Sequence, residues 1–264
     1  MSVKLGEKRW KDAKELVEKN AIVIVPTAAF EQHGHHLPLD TDTRLVSFIA
    51  EEVCKRCEDF DFPVVTTPTV WTGFSPHHMR FEGSITLKMD TFNMLIQDIC
   101  ESLWHHGFRN IILLNGHGGN ANLLKSMVAN MTFSHNIRTV TASYWDFVRE
   151  YIDDWRKSNL GGVNHGCEME TALMLYLSEK LVHKEYIKDD VWRPTTKYIS
   201  NDLTYSGKVF TAFDFSEISD DGTIGAPSMA SKERGEELFD LICKEIVNFI
   251  EDFRKWDWEN IMKQ

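Results

Sequence analysis

No apolar run in this chain approaches the ~20 residues needed to cross a bilayer as a helix, and the first residues, Met1–Lys8, lack the apolar core of a signal peptide. Cysteine is sparse as well. The five present (Cys54, Cys57, Cys100, Cys167, Cys243) are odd in number and show no framework-like spacing, which argues against a secreted disulfide scaffold. Positive charge is also short: the net charge is −11, which disfavours non-specific binding to nucleic acid or anionic membranes. A cytoplasmic protein is the resulting expectation. Internal repeats, low-complexity tracts and a dividing linker are absent too, so the 264 residues are read as one domain with a substantial core.

Several catalytic signatures are missing. There is no Gly-x-Ser-x-Gly elbow and no H-E-x-x-H helix. The dinucleotide fingerprint begun at Gly116 fails at Ala121, and no Gly-Lys-Ser/Thr completes a phosphate loop. Cys54-Lys55-Arg56-Cys57 has redox or zinc spacing but no second pair. It lies in a helical pattern shared with Leu45, Val46, Ile49 and Val53, so both cysteines read as helix residues.

What is present alternates between strand and helix. Helical patterns occupy Arg9–Glu18, Thr43–Cys57, a stretch capped by Asp90 that runs to His106 and stops at Gly107, a stretch from Asn120, Glu168–Leu177 and Ser231–Lys255. Short apolar runs read as buried strands at Ala21–Val25, Pro63–Thr67, Asn110–Leu114 and Arg138–Ser143. That order predicts an α/β fold, a mostly parallel sheet covered on both faces. Asp189–Ala226 is polar and weakly periodic, and reads as long loops or short strands that serve as a lid or an oligomer contact.

The densest chemistry is in Glu31-Gln32-His33-Gly34-His35-His36-Leu37-Pro38-Leu39-Asp40-Thr41-Asp42, three imidazoles and three carboxylates directly after a strand. Divalent transition metals accept both ligand types, and strand ends are where α/β proteins place their sites. Asn115-Gly116-His117-Gly118-Gly119-Asn120 follows another strand and offers His117 as a ligand; a glycine turn with a solvent histidine, or a phosphate cradle, is the alternative. Asn164–Thr171 opens a helix with His165, Glu168 and Glu170, which could supply a general base and a ligand, or merely acidic partners for the helix dipole. Cys167 beside His165 could imitate a thiol–histidine pair, although two residues apart they need not face each other. His77 and His78 could line a pocket, with solvent exposure the commoner fate. His105 and His106 suit a helix C-terminus, and His135 and His183 read as surface residues.

Taken in order, these blocks resemble the creatininase (creatinine amidohydrolase) family. They are Glu31-Gln32-His33-Gly34 with His36-Leu37-Pro38 and Asp42; His78 with Phe81 and Gly83; Asn115–Asn120; His165 with Glu168, Glu170 and Thr171; and, more loosely, Gly222–Pro227. The resemblance implies a three-layer α/β/α fold, a homohexamer and a hydrolytic centre of two divalent ions (Zn, Mn or Fe). By it, Glu31, His33, Asp42 and His117 are metal ligands, Asp42 bridges, and His165 transfers protons. Creatininase has a further glutamate two residues after the loop histidine, where this chain has Gly119. Glu168 is the candidate replacement with Glu170 close behind, and Glu170 is otherwise the candidate base. His165-Gly166-Cys167 stands where the family usually has His-Ala-Gly, and His77 and Glu82 where Glu and Pro are common. The implied reaction is hydrolysis of a C–N bond in a small-molecule substrate, a cyclic amide or formamide other than creatinine. Ring-opening hydrolysis of a keto-cyclitol is the runner-up within the family. A catalytically silent metal-binding protein and a nucleotide-binding protein built on Asn115–Asn120 are the rivals from other classes.

Overall fold

The computed structural model describes residues 2–205 and 207–258. Helix α1 (Trp10–Glu18) leads into β1 (Ile22–Thr27), α2 (Thr41–Arg56) and β2 (Val64–Thr66). Then come α3 (Met89–His105), β3 (Asn110–Asn115), α4 (Ala121–His135), β4 (Thr139–Ser143), the single turn α5 (Ile152–Trp155), α6 (Glu168–Ser178) and α7 (Lys232–Phe253). The four strands form one sheet of order β2-β1-β3-β4, and every neighbouring pair is parallel.

Alternation of side chains along these strands builds the layers. Ile22, Ile24, Ile112 and Leu114 face a core shared with α2, α6 and α7, where Leu45, Ile49, Leu173 and Ile246 are buried. Val23, Val25, Ile111 and Leu113 face the opposite way, onto Phe92, Ile96, Leu124 and Met131 of α3 and α4. The result is the three-layer α/β/α arrangement that alternating strand and helix predict. Burying each large apolar side chain contributes about 1.5–3 kcal/mol, so strands covered on both faces anchor whatever their ends carry.

One helix cap differs from expectation. Asp90 does not cap α3: Lys88 holds the extended position before the helix, and Asp90 lies in the first turn, where its charge complements the dipole. Cys54 and Cys57 are buried on the core side of α2, and all five cysteines are free thiols. No helix among the described residues is long and apolar enough to cross a membrane.

The chain adds β2 on one side of β1 and then returns to add β3 and β4 on the other. Strand order therefore reverses between β1 and β3, where Thr27 and Asn115 are register partners at the strand ends. Loops leaving two adjacent parallel strands in opposite directions open a crevice beyond their carboxyl ends.

Candidate metal centre

Both loops that leave this crevice carry the expected residues. The loop after β1 bears Glu31 and His33 and runs into α2, whose first turn holds Asp42. Gly34 is required there: its φ is +66°, and a Cβ would overlap the Thr223 hydroxyl and crowd His36 Nδ1. The loop after β3 places His117 alongside. The first turn of α6 brings Glu170, and the residues just before that helix bring His165. Glu31, His33, Asp42, His117, His165 and Glu170 are all buried, with at most 6% of their surface exposed.

Their hydrogen bonds decide which nitrogen of each histidine faces inward. His33 Nδ1 lies 3.1 Å from the Glu31 carbonyl, which can only accept, so Nδ1 carries the proton. That leaves the lone pair of Nε2 aimed at Asp42 Oδ1 (3.0 Å) and Glu170 Oε1 (3.6 Å). His117 is reversed. Its Nε2 donates to the Phe74 carbonyl at 3.1 Å, with Ser75 Oγ at 3.2 Å, and its Nδ1 faces Glu31 Oε1 and Asp42 Oδ2, each at 3.1 Å. Two imidazole lone pairs thus each point at two carboxylate oxygens, and Asp42 contributes one oxygen to each group. Such clustering of electron pairs is repulsive unless a cation or a proton lies among them.

Protons take that place when no cation is present. Burial pulls the His117 imidazole down, but the Glu31 and Asp42 carboxylates outweigh it and lift it to about 10. His33 is likewise opposed by burial and raised by Asp42 and Glu170. Burial raises the Glu31 carboxyl despite the His117 charge. Asp42, between two histidines, is held low even though burial opposes it.

The same residues fit metal ions. Glu31, Asp42 and His117 form one group of convergent ligand atoms, His33, Asp42 and Glu170 a second, and Glu31, His33 and His165 a third that overlaps both. A tetrahedral ion with ligands at 2.0–2.2 Å has ligand–ligand edges of roughly 3.4 Å, close to the spacings above. Both Glu31 oxygens and Asp42 Oδ2 are buried without a hydrogen bond, as atoms reserved for a cation would be. Each of the first two groups offers three protein ligands, the number that leaves a coordination position for water or substrate.

The structure separates the two glutamates of α6. Glu168, the first candidate for the remaining ligand, turns away from the cluster. Its carboxylate accepts the backbone N–H groups of Lys157 and Ser158 at 2.7 and 2.9 Å. That expectation is therefore corrected: Glu168 holds the preceding loop, and Glu170 reaches the cluster. Nor can a side chain come from position 119, because a Cβ at Gly119 would overlap the Phe74 carbonyl and His117 Nε2.

His165 Nε2 donates to the Gln32 carbonyl at 2.5 Å, so its unprotonated Nδ1 is the nitrogen 3.8 Å from Glu31 Oε1. Burial, with the nearby His33 charge, holds this ring neutral. Burial also pushes the Cys167 thiol far up, so no thiolate is available there. His36 is buried with Nε2 on the Thr171 hydroxyl at 2.9 Å, and Asp40 pairs with Arg44; His35, His105, His106, His135 and His183 are exposed.

Of the two fates open to His78, the structure takes the less common one: the ring is not in solvent but fully buried against the cluster, with Nε2 3.2 Å from Glu31 Oε1. Its neighbour His77 stacks beside His117 at 5.7 Å. The described residues of the segment 189–226 meet these rings through a bridge between His165 and Ile224, and a bridge between Asp190 and Gly225 ties the two ends of the segment together. From it Phe215 packs on His77, His78 and His165 at centroid distances of 4.9, 4.4 and 5.2 Å.

Known proteins share this architecture. The Creatininase family profile, described as creatinine amidohydrolase, matches residues 6–250. Creatinine amidohydrolase of Pseudomonas putida is 27% identical over 267 residues, covering 95% of this chain and 97% of that protein. The mycofactocin precursor peptide peptidase of Mycobacterium tuberculosis (strain CDC 1551 / Oshkosh) is 27% identical over 253 residues, covering 92% and 90%. A solved structure described as Creatininase Mn superposes with a TM-score of 0.80 at 27% identity, covering 96% of this chain and 99% of its own. With the profile spanning almost the whole sequence and the fold matched over the same length, the chain belongs to the creatininase family of metal-dependent hydrolases.

Proposed function

We propose that this protein hydrolyses a C–N bond in a small cyclic amide or formamide at a dinuclear centre. Glu31, Asp42 and His117 would hold one divalent ion, and His33, Asp42 and Glu170 the other, with Asp42 as the bridge. The observation that carries this reading is the pair of inward-facing imidazole lone pairs, each set against two carboxylate oxygens and joined through Asp42. When bound, the ions supply polarisation of the substrate carbonyl and a lowered pKa for the attacking water.

The chain supplies proton transfer and enclosure. With Nε2–H committed to the Gln32 carbonyl, His165 presents Nδ1 as the base that takes the water proton and returns it to the leaving nitrogen. Burial keeps that nitrogen unprotonated near neutral pH. Phe215 and the segment 189–226 act as a lid that keeps bulk water from the reacting atoms, which limits the substrate to small molecules. Creatinine is disfavoured because Gly119 has no room for the glutamate that creatininase carries there.

Elemental analysis coupled to a substrate screen on one preparation tests this reading. The expected result is about two divalent ions per chain, with turnover of a cyclic amide or formamide that chelation abolishes and metal restores. Two bound ions without turnover on a panel of cyclic amides, formamides, keto-cyclitols and short peptides would favour a binding protein instead. Nucleotide binding that survives chelation would move the site to Asn115–Asn120.

A further inference from the structure

His78 offers a polar atom that the scheme above does not use. It ends the single 3-10 turn Pro76–His78, is fully buried, and its Nε2 has no hydrogen-bond partner. Glu31 Oε1 is 3.2 Å away but lies off the hydrogen-bond direction. The ring sits 4.5 Å from His165 and 4.4 Å from Phe215, centroid to centroid.

The other nitrogen shows where the proton is. His78 Nδ1 is 2.9 Å from Gln32 Nε2. Two backbone groups of opposite sense orient the Gln32 amide: the Gly34 N–H, at 2.8 Å, requires an oxygen, and the Gly222 carbonyl, at 3.1 Å, requires an N–H. The amide nitrogen therefore donates to His78 Nδ1, which must be the unprotonated nitrogen. The neutral ring carries its proton on Nε2. A buried N–H without an acceptor is destabilising, and this one lies where Glu31, His165 and Phe215 meet.

We propose that His78 Nε2–H donates to the carbonyl oxygen of the substrate and stabilises the oxyanion it becomes, and that Gln32 is the positioning residue that fixes this tautomer. The proposal rests on the hydrolase reading above. As the water oxygen bonds to the carbonyl carbon, the C=O π pair moves onto oxygen and the water proton passes to His165 Nδ1. The pair then returns to carbon, the C–N bond breaks with its electrons on nitrogen, and that nitrogen takes the proton from His165. A neutral donor fixed in place before the reaction needs no reorganisation as charge develops. Because Nδ1 accepts the Gln32 amide hydrogen, it carries no proton of its own and the ring is neutral.

The test compares His78→Ala, His78→Gln and Gln32→Glu with the parent, all loaded with zinc. His78→Ala is expected to keep its metal content and KM while kcat falls about 10²–10³-fold, the usual effect of removing one such donor. His78→Gln, which returns an N–H near the same point, should recover part of that loss. Nitrogen-15 imidazole spectra should show His78 protonated at Nε2 in the parent and at Nδ1 in Gln32→Glu, whose carboxylate can only accept. Loss of metal in both His78 variants would make His78 a support for the metal site and overturn the proposal. An unchanged kcat in His78→Ala, or a parent spectrum with the proton on Nδ1, would also overturn it. A metal-loaded parent that turns over nothing on the panel would defeat the hydrolase reading itself, and this proposal with it.

Discussion

Asp42→Asn probes the one residue on which both proposed metal groups depend. In the native chain Asp42 Oδ1 lies 3.0 Å from His33 Nε2, and Oδ2 lies 3.1 Å from His117 Nδ1. Asparagine keeps the shape but has one oxygen and no charge, so it can serve one group at most, and as a neutral ligand. The amide nitrogen would face the other ion with hydrogens. Losing an outer-shell partner already lowers metal affinity about 10–100-fold, so loss of a bridging carboxylate should exceed about 100-fold at one or both positions. After dialysis against trace metal, elemental analysis should fall from about two ions per chain to one or none. Calorimetric titration should show the two binding events uncoupled. Folding should survive. In the chelated protein Asp42 is the carboxylate paired with His33 and His117, so removing its charge weakens both pairs and should lower the melting temperature of that form without preventing folding. Two ions bound with parent affinity in a folded Asp42→Asn protein would refute the bridging argument.

His165→Ala should retain both ions and lose about 10²–10⁴-fold in kcat, the range for a positioned acid–base group; metal loss would make it the ligand that its closeness to Glu31 and His33 permits. Glu168→Gln should leave metal content unchanged but lower stability by about 1.5–3 kcal/mol, because the buried carboxylate accepts two loop N–H groups; chemical denaturation measures it, and lost metal would reinstate Glu168 as a ligand. The stabilising effect of metal should grow with pH. In chelated protein the His117 imidazolium, raised from 6.5 to about 10, stabilises fully below about 6.5, and that contribution is lost as pH rises through about 10. The loaded protein needs His117 neutral and suffers no such loss, so the gap in melting temperature between loaded and chelated forms should widen across that window. A gap that narrows with pH would contradict the assignment.

Much of this was readable locally. The apolar runs at β1 and β3 are continuous because both faces of those strands are covered, so sequence alone marks them as buried and parallel. Glu31, His33 and Asp42 lie within one loop and the helix turn after it, and His117 lies between glycines at the next strand end, so short-range pattern marks all four as candidates; it marks His35, His36 and Asp40 equally, and only the resemblance to the family separates them. The N-cap of α3 was less legible, since Lys88 has no capping side chain and Asp90 looks the part wherever it falls in the first turn.

Sequence by itself determined the layered fold, the strand-end location of the site and most of its metal-binding residue types, because alternating hydrophobicity and ligand chemistry are written residue by residue. Tertiary structure decided which member of each near-identical pair takes part. Glu168 and Glu170 are both acidic residues in one helical turn, but two positions apart on a helix they point in different directions. One therefore meets the loop amides at 157–158 and the other meets His33. His77 and His78 are equally polar in sequence, and only the packing of Gln32 and Phe215 around the second makes it part of the centre. Which nitrogen of each imidazole faces inward is set by carbonyls and amides from other elements. Such direction is a property of the assembled chain, and no local pattern encodes it.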